Sequence, residues 1–511
     1  MDASKKRVFS NIIGSFFLLI LAVMIISLIG STFGWQASYV RINSVTGLLD
    51  KNIVAISNLF SGEELRYILG NAMVNFVAFA PLGAFLISLI GIGIAYKSGL
   101  LGMLFTVMGR HISKFWLTFV FVLLGIISNA ASDFGYVVLL PLAAIFYLVN
   151  NRNPLIGILA TFVGVSAGQG VNVVLSNLEY SLEPYTELAA KLTDDQFILN
   201  AYNNFFFCIV AVVALTFLIT YITEKIIIPH IPKYRRDEEI IEELVIGRKE
   251  KRGFLLAAVG STILLFIYIY MLIPGLPGSG ILLDSTGKTY SAMLFGSDSY
   301  FSSSIVYVTS LILMMAGCLY GFGAKTIKGR NQFTKALYES LNSVGSVLVL
   351  LFFASQFIAI FKRSNLGIVI TSWLTGIIKT LNFTSVPLIL LVFLFIGIAN
   401  IFLTSSVSKW TILSPIVIPL FMGANMTAEF SQAVFRVGES ATNILTPLSA
   451  YFIIFAGYLE IYNKNDKCIS FRDCYKMLWP YGVAIALLWI FILVTWYIIG
   501  LPIGFGVYPT V

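Results

Sequence analysis

Four polar residues lie close together in an otherwise apolar stretch: Arg436, Glu439, Ser440 and Asn443. Their spacing of i, i+3, i+4 and i+7 places them on one face of a helix. Charged side chains inside a membrane are costly, face the bundle interior and mark substrate or ion pathways. The chemistry is that of binding. An arginine fork matches a carboxylate, and hydroxyl, amide and carboxylate oxygens suit a hard cation. The competing reading is a structural Arg436–Glu439 pair that only stitches helices together. Soluble-enzyme signatures are missing from the sequence: there is no phosphate-binding glycine loop with its lysine, no His-Glu-x-x-His and no Gly-x-Ser-x-Gly. An enzyme is not expected.

The four residues close the second copy of a phrase that occurs twice. Residues 132–167 align without a gap on 406–441, placing Ser132 on Ser406, Tyr136 on Trp410 and Pro141 on Pro415. Arg436 falls on Phe162 and Glu439 on Val165, whereas Ser440 falls on Ser166 and Asn443 on Gln169. Neutral oxygen donors are shared, and the two charges belong to one copy. A symmetric frame for cations would use the shared groups. An anionic substrate needs the unshared arginine, so Arg436 is assigned to a substrate carboxylate and Glu439 to cation or proton coupling. Each copy opens on small polar residues within an apolar run, a pointer to a transporter's binding site. Asn129, Ser132 and Asp133 sit at the first break, where half-helix ends offer free backbone groups. Their alternative role is a cap that touches backbone only. Lys409 and Trp410 follow the second break. Lys409 either serves the site or snorkels to an interface, and Trp410 either stacks on an aromatic substrate or packs. Asn400 precedes that break as a candidate cation ligand. Glu179 is either a coupling residue or an outer-loop charge.

These residues need a membrane bundle to hold them. The chain of 511 residues is 58% hydrophobic and 11% charged, against about a quarter charged in soluble domains. Apolar runs of spanning length fall at roughly 8–32, 71–95, 154–178, 202–226, 253–276, 304–324, 339–361, 430–456 and 480–503. The first is read as a retained helix. Regions 115–149 and 383–423 each read as two shorter arms joined at the polar phrase, a re-entrant hairpin. The expected fold is an all-α polytopic membrane protein with nine transmembrane helices and two opposed hairpins. The net charge of +8 reflects orientation rather than nucleic-acid binding, because the cations sit between apolar runs. With the N-terminus in the cytoplasm, the basic loops 97–114, 227–252 and 325–335 lie inside and the acidic loop 179–201 outside. Residues 362–382, basic but external in this scheme, are expected to lie along the interface. The cysteines form no metal or disulfide framework, and no metal site beyond a sodium site is expected. The chain divides into 1–114 (scaffold and dimerisation), 115–178 (first repeat core), 179–382 (connecting helices), 383–456 (second repeat core) and 457–511.

With these residues in hand, the sequence resembles the AbgT family, the p-aminobenzoyl-glutamate transporters. The resemblance rests on Asp133-Phe-Gly-Tyr-Val-Val-Leu-Leu-Pro-Leu-Ala-Ala144, on 154–166, and on Ser408-Lys-Trp-x-Ile-Leu-x-Pro415 through Arg436-Val-Gly-Glu-Ser-Ala-Thr-Asn-Ile-Leu-Thr-Pro447. It covers essentially the whole chain. It implies a bowl-shaped homodimer and transport of p-aminobenzoyl-glutamate or related aromatic carboxylates, coupled to sodium or protons. In some members it implies export of sulfonamide antimetabolites. Family site positions match at Asn400, Trp410 and Arg436. The family's Arg-x-Gly-Asp-Ser reads here with Glu439, its Pro-Glu reads Ala428-Glu429, and its acid after helix 154–178 is Glu179 rather than aspartate. The expectation is a secondary transporter in a bacterial cytoplasmic membrane. The expected substrate-binding residues are Trp410, Arg436, Ser440, Asn129 and Ser132, and the coupling residues Asn400, Glu439, Glu179 and Asn443. A dicarboxylate or citrate carrier and a passive channel are the alternatives. Direction of transport is left open.

Overall fold

In the computed structural model, the described residues are 10–43, 46–108, 113–131, 133–173, 176–199, 202–231, 234, 246–342, 344–380, 383–463 and 469–511. Ser132 and parts of loops 97–114 and 227–252 lie outside them. Among the described residues ten helices are long and apolar enough to cross a membrane. Seven stand on their own: Ile12–Thr32, Ala80–Lys97, Phe205–His230, Arg248–Tyr270, Phe301–Ala324, Gly345–Arg363 and Phe471–Ile499. The other three, Lys114–Ala131, Ser385–Phe402 and Ser406–Gly423, turn back as hairpin arms and are set apart from the seven. Two further crossings are broken helices, which together with the seven make the nine expected spans.

The broken helices correct the sequence reading, which took 154–178 and 430–456 as continuous. The first runs Pro154–Gly168, stops, and resumes as Asn177–Ala190; the second runs Ala428–Thr442 and resumes as Ala450–Tyr462. Pro154 aligns with Ala428, and Gly168 with Thr442, at the offset of the sequence repeat. Gly168-Gln-Gly170 in one copy and Thr446-Pro447 in the other supply the local cause, since glycine and proline both weaken a helix. The boundary drawn at 178 therefore falls inside a helix that belongs to the first repeat.

Each broken helix follows a hairpin. The first hairpin rises through Lys114–Ile127 and a 3₁₀ turn, Ser128–Ala131, and returns through Gly135–Leu139 and Leu140–Val149. The second uses Ser385–Phe402 and Ser406–Gly423, with the Ser405 hydroxyl accepting from the Ser408 N–H at 3.3 Å to cap the returning arm. Five crossings separate the two hairpins, so they enter from opposite faces, as charge parity predicted.

One element has no helical character. Gln36–Ile42 and Leu49–Ala55 pair antiparallel, in register from Gln36 opposite Ala55 to Ile42 opposite Leu49. A lone two-stranded ribbon is marginal in water. Here it packs on Leu366–Thr380 and on the returning arm of the second hairpin, and the Trp373 indole donates to the Gln36 carbonyl at 3.1 Å. The strand reading was missed because the ribbon is short and follows directly on the first span. Helix Leu366–Thr380 is the basic segment 362–382 of the sequence reading, and at 15 residues it is too short to cross.

The two broken helices cross where the first one ends. A methyl group on Gly170 would lie 2.6 Å from the Ser440 Cβ and 2.7 Å from the Arg436 carbonyl oxygen. Neither backbone can give way cheaply in a close-packed interior. Gly170→Ala is expected to cost about 1–3 kcal/mol, measured as thermal unfolding in detergent. Gly376→Ala, which meets nothing within 4 Å, should leave the transition unchanged or raise it.

Candidate functional site

Helix Ala428–Thr442 is buried along its length to Ala441, and its polar residues do not pair with one another. Arg436 reaches outside its own repeat: its Nη1 lies 2.5 Å from Glu179 Oε1. Glu179 is the third residue of the resumed helix Asn177–Ala190 and forms a capping box, its Oε2 accepting from the Ser176 N–H at 2.9 Å. The sequence reading had placed it at the end of the preceding span. Arg436 is 2% exposed, and its Nε and Nη2 have no acceptor among the described residues. That pair of N–H groups is the side-on edge that grips a carboxylate.

Glu439 pairs with Lys409, Nζ to Oε1 2.6 Å, both fully enclosed. Lys409 also donates to the Asn400 Oδ1. The snorkelling alternative for Lys409 is thereby set aside. The Asn400 amide donates in turn to the Glu439 carbonyl at 3.1 Å, Thr442 Oγ1 at 3.0 Å and Asn443 Oδ1 at 2.7 Å. A buried ion pair is costly unless its polar atoms find further partners. Asn400 provides one for the Lys409 ammonium and ties it to the Glu439 backbone, not to the carboxylate. The structural Arg436–Glu439 pair is likewise set aside, because each residue has a partner elsewhere.

Ser440 and Asn443 join the two repeats. The Ser440 hydroxyl donates to the Ala167 carbonyl at 2.6 Å and accepts from the Trp489 indole at 3.0 Å. Asn443 Nδ2 donates to the Gln169 Oε1 at 3.0 Å. Gln169 and Asn443 are repeat equivalents, so this bond links the copies at matching positions. Asn129, at the first hairpin tip, donates to the Val165 carbonyl at 2.8 Å, just as Asn400 does to Glu439, the residue aligned with Val165.

Beside this crossing is a cavity of about 950 Å³, walled in part by Asn129, Asp133, Tyr136, Gln169, Asn443 and Tyr451. It extends to the half-buried Arg363, whose Nε lies 2.6 Å from Glu64. Small-molecule sites commonly enclose about 300–1,000 Å³. Arg436, Glu439, Ser440, Asn400 and Trp410 stand outside the lining. Trp410 is fully enclosed, its indole donating to Thr186 Oγ1 at 2.8 Å and its ring 4.4 Å from that of Phe435. Glu179, whose side chain is 19% exposed, stands next to the lining residues Ser176, Asn177 and Leu178. Sequence reasoning overlooked Lys409 as the partner of Glu439. The available signal was a lysine deep in a hairpin arm, which demands a counter-charge. Tyr451 gave no signal, since it reads as ordinary membrane packing.

The family model for AbgT transporters (ABG_transport) matches residues 10–511. The chain belongs to the AbgT family. It is 30% identical to the p-aminobenzoyl-glutamate transport protein of Escherichia coli (strain K12) over 495 residues, covering 97% of this chain and 93% of that relative. Two solved structures are also similar. The YdaH transporter of Alcanivorax borkumensis, described as having an unusual topology, is 27% identical, with a TM-score of 0.48 over 97% of this chain and 100% of that one. MtrF of Neisseria gonorrhoeae, described among antimetabolite efflux pumps, is 30% identical, with a TM-score of 0.48 over 97% of each chain. This AbgT member is therefore a multi-pass membrane transporter and not an enzyme.

In this member Glu439 and Lys409 form a closed unit. Lys409→Ala would strand Glu439 without a counter-charge and is expected to cost about 3–5 kcal/mol. Lys409→Ala combined with Glu439→Ala should cost less than the two single changes together, as read from thermal unfolding of all three variants.

Proposed function

We propose that the protein is a cation-coupled secondary transporter of aromatic carboxylates of the p-aminobenzoyl-glutamate, p-aminobenzoate or sulfonamide type. It works by alternating access as a homodimer in a bacterial cytoplasmic membrane, with its N-terminus in the cytoplasm. One observation carries this reading. Two broken helices from opposed repeats meet at their breaks, beside a large polar cavity and around an arginine with two free N–H groups. Broken helices at a repeat interface are the usual frame of a transporter's central site. The E. coli relative is a p-aminobenzoyl-glutamate transport protein, and the Neisseria relative belongs to antimetabolite efflux pumps.

Arg436 keeps one N–H pair free while Glu179 holds the other side of the guanidinium. A substrate carboxylate entering past Ser176 binds the free edge and competes with Glu179. The coupling cation acts at Glu439. A sodium ion there must take the place of the Lys409 ammonium, and a proton must neutralise the carboxylate that holds it. Either event frees Lys409 and loosens the tie between the second hairpin and helix Ala428–Thr442. Asn400 and Asn443 offer the neutral oxygens for such a cation. Orientation is supported by the cations clustered at one end: Lys97 pairs with Glu339 at 2.9 Å and Arg152 with Glu224 at 2.6 Å, beside Lys114.

Reconstituted protein is expected to move p-aminobenzoyl-glutamate only under an imposed sodium or proton gradient, and flux without a gradient would refute coupling. Arg436→Ala should weaken substrate binding by at least about tenfold while the protein still inserts and folds. An unchanged affinity in that variant would remove Arg436 from the site.

A further inference from the structure

The cavity contains a second constellation, on the side formed by the first hairpin. The rings of Tyr136 and Tyr451 are stacked, with centroids 4.3 Å apart and planes within 7°. The Tyr136 hydroxyl is fixed by a bond to the Ser166 Oγ at 3.1 Å. Behind it stands Phe162, 5.9 Å away, which is itself stacked on Phe455 at 4.2 Å. Tyr136 is buried and Tyr451 half-buried, and both line the cavity. The row of rings therefore ends on Tyr451, which lines the open space. Asp133 lines the same cavity, and the Tyr451 hydroxyl meets its carboxylate. No lysine or arginine among the described residues pairs with Asp133.

We propose that Asp133 and the Tyr136–Tyr451 stack form the subsite for the aryl-amine end of the substrate. The ring stacks on Tyr451, as aromatic rings do on one another, and its amine N–H groups donate to the Asp133 carboxylate in charge-assisted hydrogen bonds. This deepens the transport reading above and rests on it. The two repeats divide the task by charge. Asp133 aligns with Val407 and Arg436 with Phe162, so the acid is peculiar to the first copy and the arginine to the second. A substrate with an amine at one end and a carboxylate at the other matches that polarity. In the second hairpin the equivalent of Tyr136 is Trp410, enclosed and bonded to Thr186, which leaves the first hairpin alone to offer a platform. The amine is shared by p-aminobenzoate, p-aminobenzoyl-glutamate and sulfonamide-type compounds, so one subsite serves all three.

Equilibrium binding to the full-length protein in detergent separates this from the transport reading. The probes are p-aminobenzoyl-glutamate and benzoyl-glutamate, which differ only in the amine. The wild type should prefer the amine-bearing compound by about tenfold or more. Asp133→Ala should abolish that preference while benzoyl-glutamate binds as before, and the isosteric Asp133→Asn tests the same point if alanine impairs folding. Tyr451→Leu should weaken both compounds in similar proportion and keep the preference. An undiminished preference in both Asp133 variants, or none in the wild type, overturns the subsite. Binding with the expected preference but without gradient-driven flux would overturn the transport reading and leave the subsite standing. Failure of the wild type to bind either compound overturns both.

Discussion

A helix that ends inside a bilayer leaves its last carbonyl groups without partners, and lipid offers no donor. Everything around the crossing of the two broken helices answers that constraint. The final carbonyls of Pro154–Gly168 are taken by Asn129 on Val165, by Asn443 on Ser166 and by Ser440 on Ala167. Asn400 adds a second donor to the Glu439 carbonyl near the end of Ala428–Thr442, which the Asn443 N–H already serves. Donors come from hairpin tips and from the opposite repeat, and each must reach within a narrow distance. Gly170 lets the backbones approach closely enough for this to happen. The positions of both hairpins follow from where their amides have to be.

The charges obey a second balance. Arg436 and Glu179, Lys409 and Glu439 form two enclosed pairs about one helical turn apart on the same helix, with no net charge between them. Such pairs are a poor source of stability, since desolvation offsets most of their attraction. Their value to a transporter is that they can be exchanged. On the proposed reading, an anion meets Arg436 with its charge already met by Glu179, and a cation meets Glu439 already met by Lys409. Neither arriving ion has to enter a site that is charged in its absence.

Much of this frame was legible in the sequence, because its causes are local or periodic. Continuous apolar runs marked the spans, the small polar phrases marked the hairpin tips, and the count of crossings set their opposition. Arg436, Glu439, Ser440 and Asn443 announced themselves by polarity in an apolar helix. Their partners did not. Lys409 reads as a basic residue at the end of a hairpin until the fold brings it to Glu439, and Glu179 reads as an outer-loop charge until a capping box aims it at Arg436. The helix breaks at 168–177 and 442–450 carried local signals, Gly168-Gln-Gly170 and Thr446-Pro447, but each lies inside or beside an apolar run of spanning length that reads as continuous. The ribbon 36–55 was hidden because its partner surface is built from residues more than 300 positions later.

The carbonyl of Ala167 waits for a serine made 273 residues after it. At about 5–20 residues per second, tens of seconds pass between the two. During that interval Asn129 already serves the Val165 carbonyl and the backbone after the break serves Ala167 and Gly168, while the Ser440 hydroxyl and the Asn443 amide are still to come. The Ser166 carbonyl, and the second bond to Ala167, are completed only when the second repeat arrives. The polar seam between the repeats is in that sense finished late in synthesis, by the side chains of the second copy.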